Sequence, residues 1–285
     1  MRLSTRLAAA AGCAALSLGI AVAAPVAMVT DLLGASATTH KDKTKLTLMA
    51  YIEPGTEIEV DAGARLTLTY FAKAQEQTFS GPAKILVQAD RIEVLRGGAG
   101  QSRKLDPDKA SAAKQIEPAL RDRIAIATFV MRSTVPRLAL IAPVDTKVSS
   151  TAPEFSWNAS KGAREYRLTL KDEQGKVLRE ASVSGTTWKP QPDEALGYGR
   201  SYQWKVESVP GTGQAEAVQA RFSVLEEQTA TRIGQQKPGA DAPFSERLLY
   251  AAQLENEGLK YEAAQQWRAL AAERPHDAVL QKLAR

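Results

Sequence analysis

The sequence is poor in the side chains that carry most enzymatic chemistry. Its 285 residues include one cysteine and two histidines, and those histidines, His40 and His276, lie in unrelated segments. A lone cysteine excludes an intramolecular disulfide framework and a thiolate zinc site. Serine–histidine and cysteine–histidine pairs of the nucleophilic kind have no evident members either. Charge of one sign is not in excess: 37 Lys and Arg stand against 32 Asp and Glu, for a net +5. The basic residues are scattered among acids, whereas nucleic-acid binding needs a concentrated basic surface. No glycine-rich loop ends in the Lys-Ser/Thr pair of a phosphate cradle; Gly97-Gly-Ala-Gly100 follows a strand pattern without that ending. Nothing in the sequence calls for a cofactor, a metal or a nucleic acid.

The first residues address compartment. Arg2 and Arg6 precede an uncharged Ala- and Leu-rich run over residues 8–24, with Ala21 and Ala23 framing a cut before Ala24. That is the pattern of a secretory signal peptide over 1–23. The rival is an uncleaved N-terminal membrane anchor, although alanine-rich composition and a small-residue end favour cleavage. Cys13 sits inside the run rather than at its end, so it matches a lipidation site poorly. Cleavage would remove Arg2 and Arg6 and leave a net +3, without cysteine.

Residues 24–44 are small and polar without sustained periodicity, and an irregular segment is expected there. His40, among Thr39, Lys41 and Asp42, reads as a surface residue rather than a metal ligand. Alternation then starts. Leu46, Leu48, Ala50 and Ile52 alternate with polar neighbours up to Pro54-Gly55. Ile58 and Val60, then Leu66, Leu68 and Tyr70, repeat the pattern around the turn Asp61-Ala-Gly-Ala64. Further short β pieces reach Leu95. The spacing predicts an antiparallel sandwich, roll or partial barrel over 45–96. The Ile52-Glu-Pro-Gly55 turn, the Leu-x-Leu strand and Ser80-Gly-Pro-Ala83 resemble the periplasmic β module of FecR-type proteins. Tyr70-Phe-Ala-Lys73 departs from that pattern, standing where such modules often turn on Asp-Gly. The resemblance implies an extracytoplasmic interaction or signalling module with no catalytic residues to transfer.

Residues 97–135 read as a linker with an amphipathic helix over 118–132, on Ile124 and Ala127 at helical spacing with Leu120. A second alternating unit spans 136–225. Its centre is Tyr202-Gln-Trp204-Lys-Val206, apolar on one face and polar on the other. Leu196 lies six residues before Tyr202 across a glycine-rich corner, a spacing that lets a tyrosine hydroxyl reach upstream backbone. Trp157, this corner and Trp204 resemble a fibronectin type III domain, which implies a spacer or binding module of no fixed function. Trp157 and Trp204 are expected in the core. Trp188, near Pro190 and Pro192, has two readings, sheet-edge packing or a ligand-stacking platform shared with Tyr198.

Residues 226–243 read as a linker or short fraying helix. The period then changes to helical over 244–285, with a break at Gly258 and a stop at Pro275. Ala251, Gly258, Ala263, Trp267 and Pro275 resemble positions of a tetratricopeptide repeat, although Arg247 stands where its early aromatic belongs. The resemblance implies a helical hairpin that docks on the sandwich or a partner, with Leu254, Tyr261 and Trp267 as a partner groove. The expected fold class is thus mainly β and multidomain: an N-terminal antiparallel β module, an immunoglobulin/fibronectin-like sandwich and a C-terminal α-hairpin.

The expected function is a non-enzymatic interaction or scaffold protein of the periplasm or cell envelope. In it the β sandwich would hold the first module and the helical groove apart. Partners would be envelope proteins or a cell-wall polymer. Two alternatives remain: a peptidoglycan- or glycan-binding envelope protein, and a carbohydrate-active enzyme using Glu226-Glu227 or the Glu57/Glu59 pair.

Overall fold

The computed structural model describes residues 24–34, 36–115, 138–211 and 214–284. Its first β unit begins earlier than alternation suggests. The segment 24–44, expected to be irregular, contains β1 (Ala27–Leu33) and β2 (Ala37–Thr39). A five-stranded sheet runs in the order β3-β1-β5-β6-β9, where β3 is Tyr51–Ile52, β5 Arg65–Tyr70, β6 Gln75–Ser80 and β9 Gln101–Lys104. Against it lies a four-stranded sheet, β2-β4-β7-β8, with β4 Thr56–Val60, β7 Ala83–Val87 and β8 Ile92–Arg96. Ala27, Val29, Leu66, Leu68, Phe79, Ile58 and Ile85 share the core of this unit.

The missed strand has a physical reason. Ala27 and Val29 enter the sheet-to-sheet core while Met28 enters a second core made with helices. A strand covered on both faces loses the period of two that marks a half-buried one. The converse error occurs at residues 45–50, which alternate but form a turn. Leu46 and Leu48 are buried there, and Met49 takes a left-handed backbone (φ 63°) while donating its N–H to the Val29 carbonyl at 2.8 Å.

The segment expected to link the units is partly regular. It supplies β9 and then α1 (Pro107–Gln115), with proline in the first helical position and the Asp106 carboxylate accepting the Asp108 N–H at 2.9 Å. The helix expected over 118–132 lies outside the described residues.

The second β unit is a sandwich. Its small sheet is β10-β12-β15, from β10 (Leu140–Ala142), β12 (Phe155–Trp157) and β15 (Thr187–Trp188). Its large sheet is β11-β17-β16-β13-β14. There β11 is Thr146–Val148, β13 Ala163–Asp172, β14 Val177–Val183, β16 Ser201–Pro210 and β17 Ala217–Val224. A three-stranded sheet packed across a shared core on a five-stranded one makes a β-sandwich. Phe155 centres the core, edge-on to Trp204 at 5.0 Å and to Phe222 at 5.5 Å between ring centroids. The corner forms as its spacing predicts: the Gly197 N–H donates to the Tyr202 hydroxyl at 2.8 Å.

Four helices complete the chain: α2 (Glu227–Gln235), α3 (Phe244–Asn256), α4 (Lys260–Glu273) and α5 (Ala278–Leu283). The first occupies the segment read as a linker or short fraying helix, and forms a helix there. Their apolar faces meet Met28, Leu48 and Met49 of the first unit, Ala113 of α1 and Leu225 at the end of β17 in one core. The helices therefore join the β units instead of standing away from the first one. Gly258 ends α3 with φ +80°, the left-handed turn glycine adopts freely, and its carbonyl accepts the Lys147 N–H of β11 at 2.9 Å. On the opposite side, Arg274 after α4 pairs with Asp31 of β1 at 2.5 Å and lies over the Phe244 ring. No helix among the described residues is long and apolar enough to cross a membrane.

Candidate functional site

Strand alternation sends one side chain in two to each face. In the first unit Leu66, Leu68 and Phe79 point into the core. The other face of β5 and β6 therefore carries Arg65, Thr67 and Thr69 opposite Ser80, Thr78 and Glu76. On β9, Gln101 stands opposite Thr78 and Arg103 opposite Glu76; on β1, Asp31 stands opposite Thr67. The outcome is a sheet face made almost wholly of hydroxyls, amides and charges.

The start of α3 partly roofs this face, and a cleft of about 560 Å³ remains, walled by Pro243 and Ser245 on the helix side. Burial of polar residues is the informative kind. Six of the twelve buried polar residues in the described structure gather here: Thr30, Asp31, Thr67, Thr69, Glu76 and Ser245. Thr69 donates to the Thr30 hydroxyl at 3.1 Å, and the Thr67 and Thr78 hydroxyls lie 3.0 Å apart. Glu76, only 4% exposed, takes Arg103 Nη2 at 2.6 Å and Nε at 3.2 Å, both on Oε2. Its Oε1 is buried with no hydrogen-bond partner.

The charges continue into the helical layer. Arg103 also donates to Glu246 Oε2 at 2.8 Å, and the buried Lys109 of α1 donates to Glu246 Oε1 at 2.8 Å. The hydrogen bond from Lys109 holds the Glu246 carboxyl below its usual pKa; burial opposes this, and Arg103 adds to it. Burial works against the Arg103 charge, but its bonds to Glu76 and Glu246 outweigh it and raise its pKa. Both shifts favour the charged forms of Glu246 and Arg103 at neutral pH.

A second groove, of about 680 Å³, lies where the ends of β16 and β17 meet β11 and the α3–α4 turn. Several of its polar groups are spent on local structure. Asp172 accepts the Gln174 and Lys176 N–H groups, Glu173 accepts the Ser201 N–H, and Lys260 donates to the Asp145 carbonyl. The cleft on the first unit, with its unsatisfied carboxylate oxygen, is the stronger candidate.

The residues singled out by sequence fall elsewhere. Trp188 is half-buried on β15, its ring 5.4 Å from Phe155, and Tyr198 is exposed in the loop before β16. Leu254 and Trp267 correct the expectation of an open groove, because both are fully buried in the helical core; Tyr261 is half-buried. A single hairpin cannot bury its apolar face alone, and here α2, α5 and the β units cover it. Glu57 and Glu59 form an exposed cluster with Lys84, Lys43 and His40. Hydrogen bonds from Lys84 to Glu57 and from Lys43 and His40 to Glu59 lower both carboxyl pKa values, the opposite of a general acid's requirement. Glu226 and Glu227 stand at the start of α2. The described residues contain no group of three or more His, Cys, Asp or Glu able to hold a metal.

Alternation alone did not single out the cleft. One signal was present: Arg65-Leu-Thr-Leu-Thr69 carries threonines, not Lys or Glu, on its polar face, and threonine suits a covered sheet better than a solvated one.

No protein-family model matches the sequence, and no curated protein matches it. Among solved structures, the fn3 domain of human collagen alpha-1(XX) chain is similar over 41% of this chain and 95% of its own, at 12% identity and a TM-score of 0.24. A two-domain fibronectin type III segment of chicken tenascin is similar over 72% of this chain and 87% of its own, at 11% identity and a TM-score of 0.24. Such scores carry no argument, and the sandwich rests on its own strand order.

Proposed function

We propose that this chain is an exported, non-enzymatic interaction protein of the cell envelope, built as one interlocked scaffold. The observation that carries the reading is the double docking of the C-terminal helices, through Arg274 onto Asp31 of the first β unit and through Gly258 onto β11 of the sandwich. Such docking fixes two β units relative to each other, which suits a protein whose task is to present surfaces in a set geometry. The apolar run over residues 8–24 behind Arg2 and Arg6 supports export. The Ile52-Glu-Pro-Gly55 and Ser80-Gly-Pro-Ala83 turns support kinship of the first unit with FecR-type modules, and Gly258, Ala263, Trp267 and Pro275 support a tetratricopeptide-like origin for the hairpin.

The test keeps the full chain. A photo-reactive residue is placed at position 95, where Leu95 is exposed on the outer strand β8, and in parallel at the buried position 267. Irradiation of fractionated cells should yield a discrete envelope adduct from position 95 and none from 267. A protein found only in the cytosol with residues 1–23 intact, or hydrolysis of chromogenic glycosides by the purified chain, would sink the reading.

A further inference from the structure

We infer that the cleft between the first β unit and α3 binds a short, anionic oligosaccharide. Three features of the cleft define the ligand's chemistry, and they are independent of the export reading.

The first is the unmet hydrogen-bond need. Glu76 is almost wholly buried at the cleft wall, both Arg103 donors go to Oε2, and Oε1 has no donor. Its negative charge is already balanced by Arg103. The oxygen is closed to solvent as it stands, so a side-chain shift must open it to a ligand; a neutral hydroxyl then supplies the hydrogen it lacks without adding charge.

The second is the kind of surface. β5 and β6 are interior strands of their sheet, so their backbone groups are consumed by neighbouring strands. An extended peptide, which binds through backbone at a sheet edge, has nothing to pair with on this floor. The floor offers side-chain hydroxyls and an amide instead, from Thr67, Thr78, Ser80 and Gln101. Groups that both donate and accept match a ligand dense in hydroxyls. The walls hold no aromatic ring and no aliphatic side chain larger than Pro243, which disfavours an apolar ligand.

The third is charge and length. Asp31 is neutralised by Arg274 and Glu76 by Arg103, whereas Arg65 is exposed and has no acidic partner among the described residues. The cleft is therefore left with one cation to place. Arg65 and Glu76 are four residues apart in strand register, about 13 Å at the rise of an antiparallel strand. A ligand spanning both is a short chain of sugar rings with a carboxylate near the Arg65 end. The volume of about 560 Å³ lies in the range of small-ligand sites.

Titration calorimetry of the intact protein with trigalacturonate, and with neutral maltotriose as its uncharged counterpart, tests this. Trigalacturonate is expected to bind, the more weakly as salt is raised, and more tightly than maltotriose. Arg65→Ala, at an exposed position that leaves the core untouched, should weaken trigalacturonate about ten-fold and bring it level with maltotriose. Glu76→Gln should weaken both sugars. Absence of binding by either sugar at millimolar concentration overturns the inference. So does binding that Arg65→Ala leaves unchanged. If an acidic peptide such as tri-glutamate binds through Arg65 while trigalacturonate does not, the saccharide assignment is wrong.

Discussion

At the scale of single residues, the helical layer is held by charges in positions that tolerate little change. Lys109 is buried, and Glu246 is its counter-charge as well as that of Arg103. Glu246→Gln should destabilise the protein by about 2 kcal/mol at neutral pH; fully buried pairs cost more, and Glu246 keeps some exposure. The sign of the pH dependence follows from the lowered pKa. Ionised Glu246 stabilises the fold above its ordinary value of 4.5, and this contribution is lost as pH falls through the lower folded value. Urea midpoints of wild type and Glu246→Gln should therefore converge below about pH 4.5; a gap that persists in acid would show that the pairing with Lys109 and Arg103 is not its source. Tyr250 gives the opposite limb. Burial, with Glu262 adding, pushes its phenol from 10 to about 12, so its neutral form favours the fold. Stability should be full below pH 10 and fall as pH climbs toward 12. Tyr250→Phe should remove that part of the alkaline loss, as read by denaturant titration at high pH.

At the scale of elements, the hairpin of α3 and α4 is structural packing. Trp267 is fully buried on α4 and donates its indole N–H to Glu255 at 3.2 Å. Trp267→Ala should cost about 3–5 kcal/mol, the range for emptying a large aromatic from a core. A change below 1 kcal/mol, measured by chemical denaturation, would return Trp267 to the role of a groove residue. The aromatic strands of the sandwich were legible because Tyr202, Trp204 and Val206 bury one face only, so period two survives in the sequence. β1 was not legible, because Met28 is buried by helices and Val29 by a sheet. α2 was legible only in part, because Ala230 and Ile233 are its only buried residues; so thin a stripe fits a linker as well as a short helix.

At the scale of the whole molecule, one apolar core draws residues from β1, the 45–50 turn, α1 and all four C-terminal helices. The first β unit is thus completed by the far end of the chain: Asp31 and Arg274, which pair, are 243 positions apart. Heating should give a single transition, with far-ultraviolet circular dichroism and tryptophan fluorescence coincident. In Trp267→Ala, hydrogen exchange should speed up in β1 together with α3. Loss of protection in α3 alone, with β1 unchanged, would show that the units fold independently.

The sequence by itself determined the local periods: short alternating strands in two units, a tyrosine corner at Tyr202, helices after Phe244 and the poverty of reactive groups. These are properties of neighbours in the chain, and alternation or helical spacing records them directly. Only tertiary structure decided that the helices close over the first sheet, that Leu254 and Trp267 are core, and that threonines on one strand face meet a half-satisfied Glu76 under a helix start. Those outcomes depend on which faces meet across more than a hundred residues, and a residue pattern records that a face is apolar or polar without recording what covers it.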